Sequence, residues 1–293
     1  MRTRVTLHLK RSPGVPIEAD SLKPENVTGK SSREIASLPL WAGNREEKVE
    51  DYFQVEVSRE DGVASPGDLP AVSGEDGSEL ATLVVAGDLS RFKRLGEGMT
   101  GGEMQIRGPA GMHIGAYMQG GSLVIHGNAG DWLGAQMSGG KIIVLGSAGN
   151  FAGAAYRGYS AGMRGGMIII HEDAGQMLGA RLRRGLIAVK GNCGDLAGFA
   201  MKAGTIIIGG TAGQRVGAMM RRGTLILWRP VELLPTFVYD CTYKPPFWQV
   251  MYNSLEREGF ELPPACRDSD FQRFSGDLNE GGKGEILICP SLN

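Results

Sequence analysis

The sequence predicts an all-β chain built around a right-handed parallel β-helix, and three observations carry that expectation. A glycine recurs every 19 residues (Gly102, Gly121, Gly140, then Gly166, Gly185, Gly204, Gly223), with one interval of 26 between Gly140 and Gly166. Three more glycines spell G-x-x-G-x-x-x-G in the units, as in Gly127, Gly130 and Gly134, with the first of them replaced once by Glu172. Two and four places after the opening glycine stand aliphatic residues, such as Leu123 and Ile125, Ile142 and Val144, Ile206 and Ile208. A fixed short period marks a solenoid, and a spacing of two places both aliphatic sets on one strand face, taken as the interior.

Each 19-residue coil then reads in order. The opening glycine enters a short strand, and the glycines that follow serve corners, where positive φ or close chain approach is needed. Later in the coil, Ile114, Leu133 and Leu178 and the series Met99, Met118, Met137, Met163, Met201 and Met220 fill the rest of the interior. A soft, unbranched side chain suits an irregular core, so the methionines are read as packing and not as metal ligands. Coils stacked about 4.8 Å apart pair their backbones with their neighbours, and no coil can bury its apolar face alone. A left-handed hexapeptide helix and a calcium-binding roll are set aside, because neither a six-residue aliphatic period nor a G-G-x-G-x-D series is present.

The bulk numbers frame this rod. The chain has 293 residues, 42% of them hydrophobic. There is no apolar run long enough for a membrane span and no apolar signal core near the start, so a cytoplasmic protein is expected. The four cysteines lack any C-x-x-C spacing and suggest neither a zinc site nor a disulfide framework. Net charge is −5 over residues 1–80, +9 over 81–229 with Arg229 included, and −5 over the remainder. The composition therefore divides into an N-terminal capping segment and linker (1–80), a β-helix domain (81–229) and a C-terminal capping helix and tail (230–293). A basic rod with acidic flanks can indicate nucleic acid, but no nucleic-acid motif accompanies it. Mutual neutralisation, or an acidic protein partner, is the plainer reading.

Outside the rod, residues 4–10 and 52–57 alternate as strands do, and Ser31 to Glu34 form a capping signal before a short segment that Pro39 ends. Residues 60–79 read as a mobile linker. The rod opens with an imperfect coil from Leu83. After it, a helix is expected from Pro245-Pro246 to Glu258, stopped by Gly259, with Phe247, Val250, Met251 and Leu255 as an apolar stripe packed on the rod's end. A short strand from Ile286 to Cys289 closes the chain.

The coils resemble the C-terminal domain of the glutamate synthase large subunit and, more closely, the C subunit of formylmethanofuran dehydrogenase. The second likeness also covers PIEADSLKPENVTGKSSREI, the entry RLGEGMTGGEMQIRG and the insertion AYRGYSAGMRGG. FVYDCTYKPPF and RFSGDLNEGGKGEIL look more like the C subunit of the bacterial formyltransferase/hydrolase complex. The resemblance implies a β-helix subunit in an assembly that handles formyl groups on methanofuran or tetrahydromethanopterin-type carriers. It further implies that the chemistry, and any metal or pterin cofactor, belongs to other subunits of A, B and D type. A glutamate synthase-like domain and a free-standing acyl- or formyltransferase stay open as alternatives.

No catalytic, cofactor or metal set can be assembled from the residues. His126 and His171 fall at one place in coils two apart, roughly 9.6 Å by strand spacing, and His113 lies on another face beside Trp132 and Phe151. Glu103, Asp131 and Asp195 are isolated acids.

Three outer features are instead candidates for a partner interface. The seven-residue insertion contributes Tyr156, Arg157 and Tyr159, types enriched at binding hot spots. A basic ladder, Arg164, Arg183, Lys202 and Arg221, precedes the opening glycines, where stacked like charges repel unless they splay or meet acids. An outward aliphatic stripe, Val124, Ile143, Ile169, Ile207 and Ile226, has the composition of a covered face. Its cover is expected to be the chain's own N-terminal segment or C-terminal helix, or else a partner.

Overall fold

The structure is a computed structural model that describes residues 2–60 and 80–289. Beyond Glu60 itself, the linker expected up to Glu79 lies outside the described residues. The chain is mostly β. In order come β1 (Arg2–Leu9), β2 (Ile17–Glu18), the short helices α1 (Pro24–Val27) and α2 (Ser32–Ala36), β3 (Pro39–Ala42), β4 (Arg45–Lys48), α3 (Val49–Tyr52) and β5 (Phe53–Glu60). Ser31 caps α2 in a reciprocal box with Glu34, so the motif works as read.

The repeat supplies β6 (Thr82–Ala86), β7 (Phe92–Lys93), β8 (Glu103–Arg107), β9 (Ser122–Ile125), β10 (Lys141–Val144), β11 (Met167–Ile170), β12 (Leu186–Val189), β13 (Thr205–Ile208) and β14 (Arg222–Leu227). β15 (Val238–Tyr243), α4 (Trp248–Arg257), β16 (Phe271–Gly276) and β17 (Lys283–Ile288) follow. Thirteen strands form one sheet in the order β15-β16-β17-β14-β13-β12-β11-β10-β9-β8-β6-β1-β5. From β6 to β14 every pairing in this sheet is parallel and in register, with Ile142 between Leu123 and Ile168. A second parallel ladder runs through single residues, from Leu89 through Ala110, Ala129, Ala148, Ala174 and Cys193 to Ala212.

The interior is the one the aliphatic positions describe: Leu123, Ile142, Ile168, Ile206, Met118, Met137 and Met163 are all fully buried in one core. Each such side chain contributes roughly 1.5–3 kcal/mol.

The glycines divide by cause. Gly121 has φ +79°, and a Cβ there would meet Met99 Cε at 2.6 Å, so it serves a corner as expected. Gly146 lies outside the left-handed region. A Cβ on it would sit 2.2 Å from Asn128 Oδ1 of the coil below, which accepts the Ser147 N–H. That contact is one of a series: Asp131 accepts from Asn150, Asn150 from Gln176, Asp173 from Asn192, Asn192 from Thr211 and Asp195 from Gln214. Side-chain oxygens passed from coil to coil, and not backbone angle, exclude a side chain at these glycines.

Both ends of the ladder are extended from within the chain. β1 lies parallel to β6 with β5 antiparallel beyond it, and the Glu25 carboxylate accepts from the Thr100 and Gly101 backbone N–H groups. β17 lies parallel to β14, and β16 and β15 follow antiparallel. The last strand therefore starts earlier than expected, at Lys283. Helix α4 corrects a sequence reading: its buried face is Trp248, Tyr252 and Leu255, whereas Val250 is 73% exposed. The i, i+4, i+7 set turns inward, and it packs on the outward face of the sheet and not on the rod's end.

Candidate functional site

The insertion is held at its neck. In a regular coil the Met137 N–H closes a turn onto Gly134 O at 3.2 Å; in the enlarged coil Met163 N–H donates to Gly153 O at 3.0 Å. The extra residues leave and return at one point, and the ladder above and below is undisturbed. Within the loop, Tyr159 N–H donates to Tyr156 O around Gly158, whose φ is +86°.

Tyr156 does not point to solvent. Its ring folds back to lie 5.0 Å from Trp132, 5.5 Å from His113 and 5.6 Å from Tyr117. Beneath it, His113, Trp132 and Phe151 take one left-handed position in successive coils, with φ of 62°, 65° and 63°. Stacking repeats the rings: Trp132 and Phe151 are 4.3 Å apart and 6° from parallel. The Tyr156 hydroxyl is 2.8 Å from His113 Nδ1. Burial first, then Arg94 and Lys93, push His113 below the usual histidine value, and burial pushes the Tyr156 phenol up.

The outer half of the loop stays available. Tyr159 is 47% exposed, Arg157 is exposed, and Arg181 donates to Tyr159 O at 2.7 Å. Between loop and ladder is a cavity of about 350 Å³ lined by Trp132, Phe151, Tyr156, Arg157, Arg181 and Phe199. An aromatic floor with two guanidinium groups at its rim can seat an acidic or aromatic side chain of another protein.

The basic ladder divides. Arg221 pairs with Glu280 of the chain's own tail at 2.7 Å, while Arg164 and Arg183 are exposed and form no ion pair among the described residues. Lys202 is half-buried. Further pairs join rod to flanks: Lys141 with Glu258 at 2.5 Å, Lys190 with Glu261 at 2.8 Å and Arg94 with Glu18 at 3.7 Å. Part of the charge segregation is therefore internal neutralisation, worth little per exposed pair.

The aliphatic stripe has an occupant. Val124, Ile143, Ile169, Ile207 and Ile226 form a second core with Trp248, Tyr252, Leu255, Phe260 and Phe271. Of the covers expected for it, the C-terminal segment is the one found, so these five positions offer no free surface. Burial of the indole is completed by Trp248 Nε1–H donating to Cys266 O at 2.6 Å.

Other reactive groups are quiescent. Burial, then Lys190, depresses His171, and burial, then Arg107, depresses His126. Burial pushes the Cys193 thiol up to about 11. Cys266 and Cys289 lie with sulfurs 3.4 Å apart, a pairing their spacing did not reveal, and their mutual hydrogen bond and burial hold Cys266 well above the ordinary thiol value. Thiols so placed are poor nucleophiles. Among the described residues no group of three or more His, Cys, Asp or Glu is placed to hold a metal ion.

These features define a mostly β protein with a glycine-marked repeat, and the GXGXG motif family model matches residues 97–236. The C subunit of the tungsten-containing formylmethanofuran dehydrogenase 2 of Methanothermobacter wolfeii is 36% identical over 114 residues, 39% of this chain and 37% of that one. The C subunit of the molybdenum-containing formylmethanofuran dehydrogenase 1 of Methanosarcina barkeri is 34% identical over 112 residues, 38% of this chain and 32% of that one. The match thus spans about a third of the length of these curated relatives. A chain of the formyltransferase/hydrolase complex of Methylorubrum extorquens, solved with methylofuran, superposes with a TM-score of 0.83 at 32% identity, covering 97% of this chain and 99% of that one. The chain belongs to the family formed by the C subunits of formylmethanofuran dehydrogenases and of the formyltransferase/hydrolase complex.

Proposed function

We propose that this chain is a non-catalytic scaffold subunit of a formyl-handling complex in one-carbon metabolism, of the formyltransferase/hydrolase or formylmethanofuran dehydrogenase type. The observation that carries the reading is the superposition over nearly the whole of both chains with a component of such a complex. The family's glycine coils alone would leave the flanks unexplained, whereas this match includes them. In this reading the protein is a cytoplasmic right-handed parallel β-helix (81–229) between an N-terminal capping segment (1–80) and a C-terminal cap (230–293). The regular parallel pairing of β6 to β14 supports the helix. No described helix is long and apolar enough to cross a membrane.

The chain's task is then to hold larger subunits in fixed relation. Its rim of Tyr159, Arg157, Arg164 and Arg183 meets an acidic surface of one of them, and the half-buried His113–Tyr156 pair fixes the loop that presents the rim. Substrate, carrier and any metal or pterin chemistry fall to those other subunits. The experiment is affinity isolation of the tagged chain from its own cells, identification of what comes with it, and assay of formyl transfer and formyl hydrolysis on the assembly and on the chain alone. Activity in the assembly only supports the scaffold reading; turnover by the isolated chain overturns it.

A further inference from the structure

The C-terminal end of the rod exposes three columns of backbone donors that, lower down, are met by the next coil. The strand column of β14 is met by β17. The column in which Tyr117, Arg181 and Ala200 donate to Ala135, Phe199 and Ala218 ends at Met219, whose N–H is met by Asp277 Oδ2 at 3.0 Å. The remaining column carries two donors three residues apart in each coil after the first. Ala174 and Met177 donate to Asn192 O and Asp195 O, both at 2.8 Å, and Cys193 and Leu196 donate to Thr211 O and Gln214 O at 3.0 and 2.9 Å.

In the last coil the equivalent residues are Ala212 and Arg215, and neither N–H has an acceptor among the described residues. Gln214, the counterpart of Asp195 whose side chain accepts from the coil above, is exposed. These residues floor a cavity of about 500 Å³, walled by the segment from Pro230 to Pro235. Val231, Leu233 and Leu234 of that wall pack on the edge of the core.

We infer that this open column is a docking site for a polypeptide segment of another subunit, which continues the ladder for one corner. The inference deepens the scaffold reading and rests on it. At every lower level the two donors go to carbonyl oxygens of two different residues three apart, a spacing that a protein corner supplies and a single small anion does not. The apolar wall takes an aliphatic side chain of that corner, and the exposed Arg215 guanidinium takes an acidic one. A donor left unmet after water is excluded is destabilising, so a segment that closes the cavity must bring both carbonyls.

Amide hydrogen exchange on the tagged native assembly and on the isolated chain tests this. The expected result is that the Ala212 and Arg215 amides, resolved from their bonded neighbours Thr211, Gly213 and Gln214, exchange at least about tenfold more slowly in the assembly, while the isolated chain is monomeric with these two amides unprotected. Arg215→Glu, at an exposed side chain, repels the acidic residue and is expected to leave thermal unfolding unchanged and weaken assembly about tenfold or more. An assembly with these amides unprotected, or undiminished by Arg215→Glu, overturns the inference. So does protection already present in the monomer, which assigns the site to the chain's own residues, and protection that appears with a doubled mass, which assigns it to a second copy. A chain that brings no partner at all removes the scaffold reading first, and this inference with it.

Discussion

The Tyr156 hydroxyl stands 2.8 Å from Nδ1 of His113, a residue 43 positions earlier and two coils below. The contact ties the insertion to the rod, and the tautomer of the imidazole decides which of the two atoms donates. Burial lowers the His113 value, with Arg94 and Lys93 adding to it and Glu18 and Asp131 opposing. His126 and His171 are lowered for the same first reason. A histidine whose folded value is depressed takes up its proton in the unfolded chain first. Its contribution is therefore complete above the unfolded value, about 6.5, and is lost as pH falls below it. Thermal denaturation at pH 7.5 and pH 5 is expected to show the lower midpoint at pH 5, with a smaller difference in His113→Gln. Equal dependence in the variant would detach His113 from the effect.

The C-terminal cover is expected to be part of the fold. Trp248→Ala removes a buried indole and its bond to Cys266 O, and about 3–5 kcal/mol of stability should go with it. Ile207→Lys places a charge beneath the same segment and should cost about as much in the isolated chain. Denaturant titration of the purified variants checks both. Wild-type stability with defective assembly would mean that the segment is displaced when the complex forms.

Much of this fold could be read from the residues. The interval from Gly102 to Gly121 gave the coil, Leu123 and Ile125 gave its inner face, and the 26-residue gap located the loop. What escaped was contact between distant places. Asp131 and Asn128 look like isolated polar residues until the next coil is stacked on them. Trp248 and Tyr252 look like one option among several for the buried face of α4 until the sheet beneath is known. Tyr156 was read as an outward anchor, and only the ring column of His113, Trp132 and Phe151 shows why it turns back and leaves Tyr159 and Arg157 as the exposed pair.

The side-chain ladder makes a coupled expectation. Gly146→Ala forces a Cβ against Asn128 Oδ1 and should cost about 1–3 kcal/mol. In the double variant with Asn128→Ala, the nearest remaining neighbours of that Cβ are Gly127 backbone atoms at 3.0 Å. The two changes should therefore be less than additive, with a coupling of roughly 0.5–3 kcal/mol. Strict additivity in a double-mutant cycle would contradict the reason given for this glycine.

Charge reversal tests the exposed rim. Arg164→Glu with Arg183→Glu leaves the Arg221–Glu280 pair intact, so the isolated chain should unfold within about 0.5 kcal/mol of the wild type. Assembly should weaken, most at low ionic strength, because salt screens such contacts. Binding measured from low to high salt with no difference from the wild type would remove the basic rim from the interface.

The scaffold reading itself is met most directly by native mass spectrometry of the tagged chain isolated from its own cells, with formyl transfer and hydrolysis assayed on each species resolved. The expected result is a mass far above the 31.2 kDa of the chain, made up with larger subunits, and activity confined to that species. A lone chain with no companions, or formyl turnover by the 31.2 kDa species, would contradict it.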